Sequence, residues 1–576
     1  MSGFRPLSPH APYGRRPLLY QPAGNNSAPS GGSFVSRLFG DKTMKQISMQ
    51  VNQGNLVKSL KFSFTNQTTV LGELLQNARR ADATAVQFEF APETNILQIT
   101  DDGCGISSLE TLLTVAESGW DADVVAQEHP FGIGFLSALF ACRHIAVVSK
   151  NGRISVNTED VLAFKPVTVF PVTDWDGITR ITMIGVEFES KLIESTLKRF
   201  AKGFPIPVFF NGESLEREHA LDSGLDFIDT EVGSIHLVGL DKPDGAHYAF
   251  EVYLQGLPIY RSHLYCSTTH IVHLDSARFH ARLPDRDKLI DESDVLKLIK
   301  AALRQAIESR LLQLKSTLSA QDFVQFFDMM RHWGLSALLN DVDVLPQQAV
   351  CKITSYPVCN SELYGCFTAY PKKPVTRAEV ESRQVEIVDI EGDIQSDGAA
   401  RFMFAWMRDS LIYYGHLDNG HWIHSMIRYL DEEEVTVDLV HETHISQFKG
   451  SWVWVDVKFC DAYRIRIGND VVEIADHAFY QGSGNGDCIV MPKDDGSAAV
   501  LNQVSTFQSE HDDYQEATHD TDCDDFATFV IANVLKDPSH AFQRLLPSFQ
   551  GCPALYGKAF EVVLDDNGEV ASVTAV

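Results

Sequence analysis

Glu73 and Asn77 stand four residues apart, so on a helix both side chains leave from one face. A carboxylate in that place can polarise a water. An amide oxygen beside it is a hard ligand suited to Mg²⁺, which keeps most of its waters and takes few protein ligands. Leu71, Leu74, Leu75 and Ala78 surround the pair, so the helix must pack closely, although such pairs also occur on ordinary surface helices. Next comes Asp101-Asp-Gly103-Cys-Gly105. Asp101 ends a strand and can accept a hydrogen bond from an exocyclic amine. Gly103 and Gly105 permit positive φ and close backbone approach, and the same residues suit an ordinary turn. Gly132-Ile-Gly134-Phe-Leu-Ser137 then opens a helix, whose N–H groups and positive end attract phosphate. It lacks the Gly-Lys-Ser/Thr of a Walker A loop and the third glycine of a dinucleotide fingerprint. Taken together, the three groups suit a nucleotide site with bound Mg²⁺.

The elements that must position these residues follow from periodicity. Leu71 to Ala81 reads as a helix, Val86 to Phe90 as a half-buried strand, and Ile96 to Thr100 as its hairpin partner across Pro92 to Asn95. Leu136 to Cys142 continues as an apolar helix, with strands at Ile145 to Ser149 and Ile178 to Ile184. The mixture predicts an α/β (α+β) sheet covered by helices on one face. A second unit begins near Lys191, with strands at Pro205 to Gly212 and Ala249 to Leu257. It closes with an amphipathic helix through Val295, Ile299, Leu303, Ile307, Leu311, Leu314 and Leu318, which has acids at its start. Beyond Ser319 a helix is expected over Phe323 to Leu339, and strands at Gln384 to Ile390, Ser451 to Phe459 and Tyr463 to Ile467. Residues 1–43, rich in Pro, Gly, Ser and Asn, read as disordered with a short docking segment at Phe34 to Phe39. The domain expectation is therefore 1–43, 44–190, 191–318 and 319–576.

At 576 residues the chain needs more than one core. It is 44% hydrophobic and 22% charged, has no apolar run long enough to span a bilayer, and lacks a secretory leader in Met1 to Lys45. A cytoplasmic protein with reduced thiols is expected, with no membrane partner. Cys351, Cys359 and Cys366 lack the paired spacing of a zinc site. A net charge of -29 argues against nucleic acid as a general partner. Residues 1–60 nonetheless carry seven Lys/Arg against one acid, and 501–576 thirteen acids against three Lys/Arg. His511 to Asp525 could hold a metal but reads rather as a flexible acidic loop, and Trp452-Val-Trp454 reads as strand packing.

Glu-x3-Asn, Asp-x-Gly-x-Gly, Gly-x-Gly-x-x-Ser and Gly177-Ile-Thr179, in that order over residues 45–190, resemble the gyrase, heat-shock chaperone, histidine kinase and MutL (GHKL) ATPase superfamily. The resemblance implies a Bergerat-type layered ATP-binding domain, followed by a transducer-like domain and an unassigned α+β region. It implies Glu73 as the general base, Asn77 as the Mg²⁺ ligand, Asp101 as acceptor of the adenine amine, and Gly103 and Gly105 as that wall. Gly132 and Gly134, with Ser137 behind them, would hold phosphate, Thr179 would support the adenine side, and 106–131 would be the lid. Thr114 to Gly119, with Ser118 and Gly119, is similar to a stretch of the ninety-kilodalton heat-shock chaperone. Arg282 to Leu289 resembles its middle-domain segment, making Arg286 the cation for the γ-phosphate, with Lys288 second. A surface ion pair of Arg286 with Asp285 or Asp287 is the other reading.

The chain departs from the pattern at Arg80, where the family carries an acid, and at Ile178, which interrupts the Gly-Thr pair. Arg80 either reaches an anion or sits on the surface. The resemblance implies a slow Mg²⁺-dependent ATPase with chaperone-like lid closure and homodimerisation, acting on a protein client. The alternatives are a nucleotide-gated scaffold with little hydrolysis and, third, a MutL-like role on DNA.

Overall fold

The computed structural model describes residues 48, 52–63, 68–114, 134–243, 245–263, 268–282, 287–355, 367–390, 399–451, 453–475, 478–481, 488–491, 516–534 and 538–576. The expected N-terminal segment 1–43, and Ser118, Gly119, Gly132 and Arg286, lie outside the described residues. The chain divides into a unit ending at Leu60 and one running from Lys61. The first contributes the start of helix α1 (Gln53–Ser63), where Asn52 Oδ1 accepts from the Asn55 N–H at 3.1 Å.

The larger unit opens with α2 (Thr69–Arg80), which has ten of its twelve residues buried. Burial on nearly all sides fits a helix wedged between neighbours, and it packs on α3 (Gly134–Ala141) and α4 (Ser190–Ala201). Beneath lies a seven-stranded sheet built from β1 (Val86–Ala91), β2 (Ile96–Asp101), β3 (His144–Ser149), β4 (Gly152–Asn157), β5 (Thr179–Ile184), β6 (Val208–Phe210) and β7 (Glu213–Ser214). The strand order is β4-β3-β5-β2-β1-β6-β7. Its one parallel pair is β1–β6. The sheet thus draws in strands later in the chain than Lys191. Asn95, at the β1–β2 turn, takes φ 52°, a conformation Asn tolerates.

Alternation along the strands gives the sheet one buried face. Val86, Phe88, Phe90, Leu97, Ile99, Val147, Ile181 and Met183 line it. Register extends this row into polar residues at one end. Val86 stands opposite Asp101, and Asp101 opposite Thr179. Asp101 and Thr179 therefore share the helix-covered face.

A second, five-stranded sheet comprises β8 (Ile228–Thr230), β9 (Gly233–His236), β10 (Phe250–Leu254), β11 (Leu257–Arg261) and β12 (His270–Leu274), in the order β11-β10-β12-β9-β8. Every residue of β10 and β12 is buried. On one face Val252, Val272 and Ile235 pack with Ile299, Leu303, Ile307 and Leu311 of the long helix α5 (Glu292–Thr317). Of the seven expected apolar positions these four are buried, and Val295, Leu314 and Leu318 are partly buried against the same core. The expected helix over Phe323 to Leu339 is helical as far as His332, in α and 3-10 turns, and breaks at Gly334, φ 65°, before a last 3-10 turn at Ser336–Leu339.

In the C-terminal part, a sheet runs in the order Thr368–Ala369, Val350–Ile353, Leu411–Tyr413, Ile387–Asp389, Arg428–Tyr429. Two smaller antiparallel sheets share a core with helix Ala399–Met407 and residues of helix Glu516–Val534. That second helix corrects the expected acidic loop: from Glu516 onward the stretch is helical. Asp522 is buried and accepts from the Ser451 N–H at 3.0 Å. Trp454 also differs from expectation. It is 58% exposed, with the Lys449 ammonium 4.2 Å from its ring centre. Trp452 lies outside the described residues. The hairpin Phe560–Leu564 with Val570–Ala575 is largely exposed. Among the described residues, no helix is long and apolar enough to cross a membrane.

Candidate nucleotide site

Glu73 projects from α2 and is only 6% exposed. Its carboxylate lies against Gly134, the first residue of α3, so closely that a Cβ at Gly134 would collide with Oε2. Only glycine at this position lets the start of α3 and the acid of α2 meet. The motif residues, far apart in sequence, thus share one wall. Ser137, one turn on, is buried, and its hydroxyl donates to the Gly134 carbonyl at 2.6 Å. In this arrangement it braces the turn.

Asn77, one turn after Glu73, is half-buried. Arg80 lies a further turn along the same face. It is not on the surface: it is buried, and its Nη1 donates to Asn77 Oδ1 at 3.4 Å. Its neighbour Arg79 turns away, giving Nε and Nη2 to Gln76 Oε1 at 3.0 and 2.8 Å.

The strand-end loop closes the other side. Asp101 Oδ1 accepts the Gly103 N–H at 3.1 Å, and the Cys104 N–H donates to the Ala81 carbonyl at 2.8 Å, which pins the loop to the end of α2. Burial pushes the Asp101 carboxyl above its usual range. The Gly103 hydrogen bond opposes that shift, and the Asp102 charge adds to it. Asp102 itself faces outward, where burial opposes ionisation but the Thr84 hydroxyl and the N–H groups of Ala85 and Thr84 outweigh it and hold its carboxyl low. Gly105 takes φ 76°, and a Cβ there would stand 2.8 Å from the Trp175 ring. Trp175 is fixed by its own Nε1–H, which donates to the Ile178 carbonyl at 2.8 Å. Thr179 is buried, and its hydroxyl pairs with Ser149 Oγ at 2.9 Å, while Ser149 Oγ accepts the Ile106 N–H at 2.8 Å. Neither Ser149 nor Trp175 was singled out in the sequence. The strand register could have found Ser149, since β3 and β5 pair so that residue 149 falls beside 179.

Behind Glu73 a cavity of about 380 Å³ separates α2 and α4 from the second sheet. Arg199, Lys202, Glu251, Arg261 and Asp287 line it together with Glu73. Burial, partly offset by Glu251, lowers the pKa of Arg199. Asp287 belongs to the segment carrying Arg286, and Lys288 is exposed on the same short bridge, where the Arg282 N–H donates to the Lys288 carbonyl at 2.7 Å. Asp287 therefore reaches the cavity of Glu73.

A carbonyl oxygen has two lone pairs, so Asn77 Oδ1 can accept from Arg80 and still offer a ligand to Mg²⁺. Among the described residues no group of three or more His, Cys, Asp or Glu could hold a metal elsewhere.

No curated protein matches the chain. Residues 65–169, which span α2, the Asp101 loop and α3, match the family model described as histidine kinase-, DNA gyrase B- and HSP90-like ATPase, and this segment is accordingly similar to a GHKL-type ATP-binding domain.

Proposed function

We propose that the chain binds ATP between α2, the Asp101 loop and the start of α3, and hydrolyses it slowly. The observation that carries this reading is the contact of the Glu73 carboxylate with Gly134, since it joins a candidate base to a candidate phosphate loop. Asp101 keeps its Oδ2 for the adenine amine while Oδ1 is held by Gly103. Glu73 takes a proton from a water as that water's oxygen attacks the γ-phosphorus, and ADP leaves with the β–γ bridging oxygen. The cavity behind Glu73 gives that water a route. Asn77 would hold a divalent ion bound with the nucleotide, and that ion would neutralise phosphate charge.

In this reading, closure of segment 106–131 and pairing of two copies would carry the nucleotide state to the C-terminal part and to a protein client. The return of Asp287 to the Glu73 cavity supports coupling to the second sheet, with Arg286 as the transition-state cation. A nucleotide-gated scaffold is the second reading. Arg80 on Asn77 favours it, because weak metal binding would slow turnover.

ATP hydrolysis by the full chain, in Mg²⁺ and in EDTA, tests both. Glu73→Ala should retain binding and lose turnover by about 10²-fold or more. Wild-type binding without turnover would select the scaffold. Absence of ATP binding would overturn both.

A further inference from the structure

The cavity behind Glu73 brings together a guanidinium with open donors and a buried carboxylate. Arg199, on α4, lines it, and among the described residues Arg199 makes no hydrogen bond and no ion pair. Its guanidinium lies 4.9 Å from the Phe200 ring centre and is attracted by Glu251 without pairing to it. Arg199 is exposed enough for an ion from bulk water to reach it. Lys202, by contrast, is committed to Glu218 at 2.5 Å. Glu251, on β10, lines the same cavity and is only 6% exposed. Buried charges are ordinarily paired, yet the described residues bring no cation into contact with this one at neutral pH. His219 Nδ1 lies 3.7 Å away, but burial lowers the His219 pKa to about 4, so the ring is neutral. The Tyr253 hydroxyl hydrogen-bonds to Glu251 and also meets His219 Nδ1 at 2.7 Å. A carboxylate accepts several hydrogen bonds, so Glu251 has acceptor capacity left for the cavity.

A planar, weakly hydrated guanidinium with free N–H donors suits phosphate oxygens. The carboxylates of Glu73, Glu251 and Asp287 on the same wall repel a bare anion, but they can accept from an anion that carries its own proton. Orthophosphate carries a P–OH at neutral pH, and sulfate carries none. Hydrolysis as proposed above makes that ion beside this cavity. In-line attack brings the water in opposite ADP. Glu73 takes one of its protons, its oxygen bonds to the γ-phosphorus, and the β–γ bridging oxygen leaves on ADP with the bond's electron pair. The water's second hydrogen stays on the new phosphate, as a P–OH directed away from ADP. We propose that the cavity receives this orthophosphate before release, with Arg199 pairing to its oxygens and Glu251 accepting from its P–OH. The inference rests on the ATP-hydrolysis reading above.

The test is calorimetry of the full chain with inorganic phosphate, and with sulfate, in excess ADP so that the nucleotide site is filled. The wild type should bind phosphate at least about tenfold more tightly than sulfate, and Arg199→Met should weaken phosphate binding roughly ten- to a hundredfold, the range of a charge-assisted hydrogen bond. Arg199→Lys should lie between. Glu251→Gln keeps an acceptor and loses the charge, so it should admit sulfate and narrow the preference, a response that a purely structural role would not give. If Arg199→Met fails to fold, as circular dichroism would show, the change of preference in Glu251→Gln still decides. No phosphate binding by the wild type, equal binding of sulfate, or phosphate binding unchanged in Arg199→Met would overturn the inference, and ATP hydrolysis by the same wild-type sample would leave the ATP reading standing. A wild type that hydrolyses no ATP would overturn the hydrolysis reading and the product site with it, whatever phosphate does.

Discussion

Asp101 shows a site residue that costs stability. Its carboxyl is raised because burial disfavours the charge, so the folded state holds the proton to higher pH than the unfolded chain, whose reference value is 3.8. The stabilising contribution is present below that reference and is lost as pH rises through the folded value. At neutral pH the charged form is therefore a penalty. Asp101→Asn keeps an oxygen for the Gly103 N–H and removes the charge. We expect it to lose ATP binding, while the melting temperature of the nucleotide-free protein stays equal or rises; a clear fall would contradict this account. Gly134→Ala belongs at the same scale. The added methyl must displace the Glu73 carboxylate or the start of α3, and overpacking of this kind costs about 1–3 kcal/mol. Chemical denaturation should show that loss, and turnover should fall with it. Such close approaches are what a sequence conceals. Glu73, Asn77 and Asp101 were legible from type and spacing, but that Gly134 lies on Glu73, or that Arg80 turns inward to Asn77, depends on contacts across elements distant in sequence. An arginine on a helix has no local signature of burial.

Among the elements, α2 was legible because its apolar positions are dense, and β1 and β2 because they alternate around a turn. The run from Phe323 to Leu339 was legible only in part, for a physical reason. Its apolar residues Phe323, Phe327, Met330 and Leu339 are buried in one core, but Gly334 at positive φ breaks the helical run after His332, and hydrophobic spacing does not register such a break. The expected acidic loop erred the other way over Glu516 to Asp525. Its acids gave a polar pattern, while Phe526 and Val530, buried beyond it, anchor the helix that includes Asp520 to Asp525. A further element-scale prediction concerns Gln76. It is 1% exposed, and its Nε2 donates to the Gln255 carbonyl in the β10–β11 turn at 2.9 Å. Gln76→Ala leaves that acceptor and the Arg79 donors without this partner, and should destabilise by about 1–3 kcal/mol in urea unfolding. A change within a few tenths would mean the contact is not a clamp.

Across the whole molecule, acid sensitivity follows from a buried neutral histidine. His270 Nδ1 accepts the Val238 N–H at 3.1 Å, so its other nitrogen, Nε2, carries the proton and donates to the His247 carbonyl at 2.6 Å. Burial is the largest cause lowering its pKa, to about 4 from 6.5, with the His247 hydrogen bond opposing. Below 6.5 the unfolded chain takes up a proton that the folded state refuses until about 4, so stability falls as pH drops through that window. The loss from this residue reaches about 3 kcal/mol. Melting temperatures from pH 7 to pH 4 should fall more steeply in the wild type than in His270→Gln; parallel curves would remove His270 as the cause. The architecture past Ser319 was the least legible part, because its strands are two to four residues long in the first sheet and leave little periodicity to read.

The two faces of α2 have a joint consequence. One face holds Glu73, Asn77 and Arg80. Another holds Gln76, on the β10–β11 turn, and Gly72, which lies so near Leu257 and Phe200 that a methyl there would already touch both at 3.4 Å. Twelve residues of continuous helix turn as a rod. A nucleotide that rolls this rod as it settles must therefore drag the turn at Gln255, and tension on the turn must in turn reset the grip on the phosphates. The helix is an axle shared by two wheels. Hydrogen exchange at residues 250–261, followed with and without ATP, would register the shared motion; identical exchange in the two states would show that the wheels spin independently.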